Sequence, residues 1–152
     1  MKTLLVPLDF SDTATLLVAK AAELARSLGA KIILLHVIEP VASYVPVGAT
    51  MDVIAAVPPI IETSEGLSDH EKHLNTLAEP LRALGLAVEG VTLVGLAVDD
   101  IVDQAAKRKA DFIILGSHGH GALYHLFSGS VVTGVLRRAG CPVIVVPAKK
   151  AA

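Results

Sequence analysis

The sequence predicts an open parallel α/β sheet covered by helices on both faces. Three observations carry that prediction: aliphatic runs almost free of aromatics, alternation of those runs with helix-spaced stretches, and glycine or proline punctuation between them. Hydrophobic residues make up 53% of the 152-residue chain and aromatics only 3%, a balance that suits strands buried on both sides. The length fits one domain, assigned to residues 1–148 with a short tail at 149–152, and large enough to build a core without disulfides or metals.

Five runs rich in branched aliphatics are the strands: Thr3 to Leu8, Lys31 to Ile38, Ala87 to Leu93, Phe112 to Leu115 and Pro142 to Val146. The first helix is read from Leu17, Ala21, Leu24 and Leu28, which recur at three- and four-residue steps, with Ser11 or Asp12 as N-cap and Gly29 as the stop. Another runs near Val98 to Lys109, with Asp99 and Asp100 early and Lys107, Arg108 and Lys109 late, matching the helix dipole. The last spans about Ser130 to Ala139 and ends at Gly140, just before Pro142. Strand–helix alternation implies right-handed crossovers. Pro40 to Ser64 breaks the regularity: with Pro46, Pro58 and Pro59 among apolar residues, it is too long for an ordinary connection. It reads as a lid, a partner surface, a mobile loop, or a cover for the end of the core.

Composition excludes several functions. A net charge of -2 and a pI near 6.3 supply no basic field for a phosphate backbone, and there is no Trp for base stacking, so nucleic acid is not an expected partner. Mean hydropathy is high at +0.62, yet no apolar run approaches the roughly 20 residues that span a bilayer, so no membrane is expected either. The single Cys141 makes no intrachain bridge and, without a signal peptide, the expected compartment is the cytoplasm.

Two strand ends carry unusual residues. The first runs into Pro7-Leu8-Asp9-Phe10-Ser11, placing a carboxylate at the strand tip; the fourth ends in Gly116-Ser117-His118-Gly119-His120-Gly121. Glycines this dense let backbone approach a ligand closely, and ligands of open parallel sheets sit outside the carboxyl ends of strands. Gly129-Ser130 then opens the last helix, whose free amides can receive an anion. The Ser130 hydroxyl either caps that helix or donates to a phosphate oxygen; helix physics alone leaves both open.

The spacing Gly116-x2-Gly119-x9-Gly129-Ser130 matches the nucleotide-binding pattern G-x2-G-x9-G-[ST] of the universal stress protein family, which the chain resembles from end to end. Leu5-Val6-Pro7-Leu8-Asp9-Phe10-Ser11, Leu34-Leu35-His36-Val37, Gly116-Ser117-His118-Gly119 and Cys141-Pro142-Val143-Ile144-Val145-Val146-Pro147 are similar to its signatures. The resemblance implies a five-stranded parallel sheet in the order 3-2-1-4-5. It also implies ATP, or ADP or AMP, with Mg reached only through the nucleotide. Adenine would lie against Pro7, Leu8 and Val37, Asp9 would contact the ribose or the phosphate and metal end, and phosphates would rest on amides at Gly116, Gly119, Gly129, Ser130 and Val131, with His118 bordering them. A homodimer through Pro142 to Val146 is implied as well, and it would cover an apolar edge strand.

The alternative readings are a dimeric scaffold of the same fold that retains no nucleotide, and a slow ATP-hydrolysing enzyme. The alternative for Asp9 is no ligand role but a cap of the following helix or the side chain of an Asx turn. No Gly-Lys-Ser/Thr phosphate loop and no Gly-x-Ser-x-Gly elbow occurs, so no catalytic residue is assigned. The histidines suggest no metal: His118-x-His120-x4-His125 matches no closed zinc site, His70-x2-His73 is expected on a solvated helix face, and His36 is expected to be a satisfied, partly buried strand histidine.

Overall fold

The computed structural model describes residues 1–40, 64–117 and 130–147. Nine elements follow in the order β1 (Lys2–Pro7), α1 (Ala14–Leu28), β2 (Ala30–Ile38), α2 (Ser64–Ala83), β3 (Val88–Val94), α3 (Ala97–Lys107), β4 (Phe112–Gly116), α4 (Ser130–Arg138) and β5 (Val143–Val146). All strands are parallel and their order is β3-β2-β1-β4-β5, the topology that the resemblance implied. Strand order reverses between β1 and β4, where Leu4 pairs with Phe112 and Leu5 with Ile113.

The period-two alternation of the strands divides the core into two layers. Leu4, Val6, Ile32, Leu34 and Ile114 pack with Leu17, Ala21 and Ala25 of α1 and Leu74 and Ala78 of α2. Leu5, Ile33, Leu35, Ile113 and Leu115 face the other way, onto Ile101 and Ala105 of α3 and Val132 and Val135 of α4. The central β1 and β2 side chains are fully excluded from solvent, which is why these strands read as unbroken aliphatic runs.

Boundaries differ from the expectations by a residue or two, and each shift has a cause. Leu8 lies past the end of β1, although its amide still donates to the Leu35 carbonyl at 2.8 Å. The first residue before α1 is Thr13, with no side-chain cap, instead of Ser11 or Asp12; the Ser11 carbonyl takes the Ala14 amide at 2.9 Å and the Ser11 and Thr13 hydroxyls bond each other at 2.8 Å. Gly29 does stop α1, in the left-handed conformation at φ 61° with its amide on the Ala25 carbonyl. Helix α3 begins at Ala97 behind an apolar Leu96; its cap is supplied from the end of β2, where the Glu39 carboxylate accepts the Ala97 amide at 3.0 Å. No helix among the described residues is long and apolar enough to cross a membrane.

Candidate functional site

The carboxyl ends of the strands gather the candidate residues. Pro7 pairs with Leu35 at the end of β1, and Val37 lies two residues further along β2, so the two occupy one face of the sheet. That face is the α3–α4 side, where Val37 and Val131 both pack against the second core layer. Gly116 closes β4 opposite Val146, and the following Ser117 amide donates to the Val146 carbonyl at 2.9 Å. Ser130 begins α4, whose first-turn amides have no intrahelical acceptor. Arg137 and Arg138 sit in its last turn, where they complement the helix dipole, and Arg138 pairs with Asp99 of α3.

These described residues fit a nucleotide in two respects: β1 and β4 are neighbours at the strand-order reversal, and the glycine ending β4 leaves no side chain at the strand tip. The position of Leu8 is different. Leu8 is buried with its side chain in the α1–α2 core layer, its amide donates to the Leu35 carbonyl and its carbonyl is bonded to His36, so it has only van der Waals contact along its backbone to give a ligand. His118, Gly119 and Gly129, with His120, His125 and most of Pro40 to Ser64, lie outside the described residues.

Asp9 is exposed at the tip of β1, and its Oδ1 accepts the Ser11 amide at 3.0 Å. This is an Asx turn. It orients the carboxylate and leaves the second oxygen for other contacts. The next residue, Phe10, takes φ 57°, a conformation that costs a bulky L-residue about 1–2 kcal/mol.

What holds Phe10 there could not be read from local sequence. His36 stacks on it with ring centroids 4.0 Å apart, and His73 of α2 does so at 4.2 Å. Two rings that close to one phenyl cannot share a face, so Phe10 is sandwiched between them. His70 adds a further ring, 4.9 Å from His36 and 5.9 Å from Phe10. The solvated face expected for the pair holds for His73, which is exposed, and is corrected for His70, which is half-buried; both imidazoles also stack on Phe10, and His70 on His36. The i, i+3 spacing put the pair on one helix face; its partner, some sixty positions earlier, gave no local signal.

His36 is the buried, satisfied histidine that was expected, 7% exposed with Nδ1 2.8 Å from the Leu8 carbonyl. Burial pushes its pKa below the usual 6.5, the hydrogen bond to Leu8 opposes this, and His70 adds to the lowering. Among the described residues no group of three or more histidines, cysteines or acids is arranged to hold a metal. Burial, reinforced by Asp111, raises the Cys141 thiol pKa and keeps it protonated, which leaves it a poor nucleophile.

Comparison with known proteins agrees with this geometry. Residues 1–147 match the model of the universal stress protein family. The chain is 34% identical over 151 residues to the Thermus aquaticus universal stress protein of the QAH/OAS sulfhydrylase 3' region, covering 95% of this chain and 98% of that protein. The solved structure of MJ0577, a universal stress protein of Methanocaldococcus jannaschii, superposes with a TM-score of 0.75 at 28% identity over 99% of this chain and 98% of that one. A universal stress protein from Archaeoglobus fulgidus, solved in complex with dAMP, superposes with a TM-score of 0.67 at 26% identity, covering 95% and 97% of the two chains.

Proposed function

The chain belongs to the universal stress protein family, and from that premise we propose that it binds ATP, with Mg, at the carboxyl ends of β1, β2 and β4 and acts as a homodimeric, nucleotide-dependent regulator of a stress response. One observation carries the proposal: Asp9 just past β1 and Gly116 at the end of β4 stand on the two strands that flank the order reversal, with Val131 at the start of α4 in the same layer as Val37. The dAMP complex of the Archaeoglobus fulgidus protein supports an adenine nucleotide as the ligand class.

In this reading adenine lies against Pro7, Val37 and the backbone of Leu8. Asp9 meets the ribose or the phosphate end, and the amides of Gly116, Gly119, Gly129, Ser130 and Val131 receive the phosphates, with His118 at their border. No group among the described site residues is equipped as a catalytic base beyond the exposed Asp9, so any ATP cleavage is slow. The dimer forms through β5, whose edge position leaves Val145 38% exposed. Pairing of two such edges removes unpaired backbone and apolar surface together. The cytoplasm suits a protein whose one thiol is kept protonated.

Native mass spectrometry of gently purified protein, followed by calorimetric titration with ATP, tests the proposal. The expected result is a dimer carrying an adenine nucleotide, with affinity abolished by Gly129→Val, which fills the space needed by phosphate. A dimer with no nucleotide and no ATP affinity would leave the scaffold reading instead.

A further inference from the structure

The β1–α1 connection bears the residue that meets the nucleotide in the reading above, and it is held in place by four stacked rings. We propose that the sandwich of Phe10 between His36 and His73, backed by His70, is a proton-responsive clamp that fixes the Asp9–Ser11 turn when the imidazoles are neutral and releases it when they charge. The coupling to nucleotide affinity rests on the proposed site; the clamp itself does not.

The left-handed backbone at Phe10 persists only if something beyond the turn holds it. The contacts that do so come from two separate elements, His36 on β2 and His73 on α2. Releasing them removes the brace from the residue between Asp9 and Ser11, whose Asx hydrogen bond sets the carboxylate. Imidazole is the one side chain whose ordinary titration falls near neutrality, and three of them meet here.

The response to protons has a geometric cause. A single imidazolium over the phenyl face is itself attracted to the ring. A second charge is disfavoured, because His36 is buried and His70 stands 4.9 Å from it. Asp9 from the β1–α1 connection is the carboxylate that acts on His36, and the other charges acting on it are His70 and His73 of α2. Around them on α2, Asp69 and Lys72 pair with each other at the surface, and Glu71 lines the neighbouring cleft with Asn75 and Thr92. One acid therefore faces three bases, which offsets one proton and not two.

The test uses the full chain. Imidazole, Phe10 ring and Ser11 amide signals are followed by NMR from about pH 8 to about pH 5 without nucleotide, and ATP affinity is measured by calorimetry at both ends of that range. The Phe10 ring and Ser11 amide are expected to move with the histidine midpoints, and in Phe10→Leu the Ser11 amide is expected to lose that pH dependence. Wild-type affinity is expected to fall about tenfold on acidification, and His73→Gln to reduce the fall to about threefold or less. Protonation of ATP is common to both proteins, so their difference reports the clamp. A Ser11 amide that stays still while the histidines titrate, or an unchanged pH dependence in His73→Gln, would overturn the proposal. If the wild type binds no ATP near neutrality, the nucleotide reading fails, and the nucleotide-free titration still decides the clamp.

Discussion

At the amino end of the sheet, chain reversals are short and closed by neighbouring residues, whereas at the carboxyl end the polar and aromatic groups that matter come from distant segments. Gly29 turns α1 directly into β2, and Gly85, at φ 80°, lies between α2 and β3. Asp111, just before β4, accepts the Thr3 amide at 2.7 Å and returns its own amide to the Thr3 carbonyl at 2.9 Å, with Lys2 paired alongside. At the other end Asp9, Phe10, His36, Glu39, His70, His73 and Gly116 assemble from three strand ends and a helix. The contrast lies in the means: the amino edge turns on glycines beside the elements they join, with Asp111 tied across the sheet to Thr3, whereas the carboxyl edge gathers aromatic and polar groups from several elements.

The sharpest way to break that contrast is to weaken the core both edges share. Leu34→Ala, in a fully buried central strand, is expected to cost about 2–5 kcal/mol by urea unfolding, lowering stability at both ends together. Gly29→Ala acts at the closed edge alone. Nothing lies within 4 Å of a Cβ there, so the loss comes from the left-handed backbone, about 1 kcal/mol and about 2–4 °C in Tm, with ATP affinity unchanged. Glu39→Ala removes the cap of α3 at the open edge and is expected to cost about 0.5–1 kcal/mol, with amide exchange accelerated at Ala97 and Val98.

The smallest effect shows only in acid. The Thr3 amide, helped by Lys2, holds the Asp111 carboxyl below its ordinary 3.8. A depressed acid pKa adds stability that is present above that ordinary value and lost as pH falls through the folded one. Asp111→Asn is expected to flatten this acid limb of a Tm-against-pH curve and to leave the limb set by His36 untouched. That second limb has its own sign: the lowered pKa of the base means stability is full above about 6.5 and declines as pH drops below it.

The closed edge was legible because its signals are local. Gly29 after an apolar helix pattern is short-range physics, and the aliphatic runs located all five strands. The open edge was legible at the ends of β1 and β4, where Asp9 and Gly116 stand as the strand pattern placed them. Ser11 and Asp12 are not the caps because α1 starts later, behind Thr13, and the Ser11 hydroxyl is bonded to that of Thr13. Glu39 as the cap of α3 and Phe10 as the partner of three histidines were invisible, since each depends on residues 26 to 63 positions away brought together by sheet order.

Amide chemical-shift mapping of the full chain with ATP tests most directly whether the carboxyl edge is the ligand site. Shifts are expected at Leu8, Asp9, Ser11, Val37, Gly116 and Val131, with Thr3, Gly29, Gly85 and Asp111 unmoved. Saturable shifts centred on the amino edge, or none at either, would contradict the account.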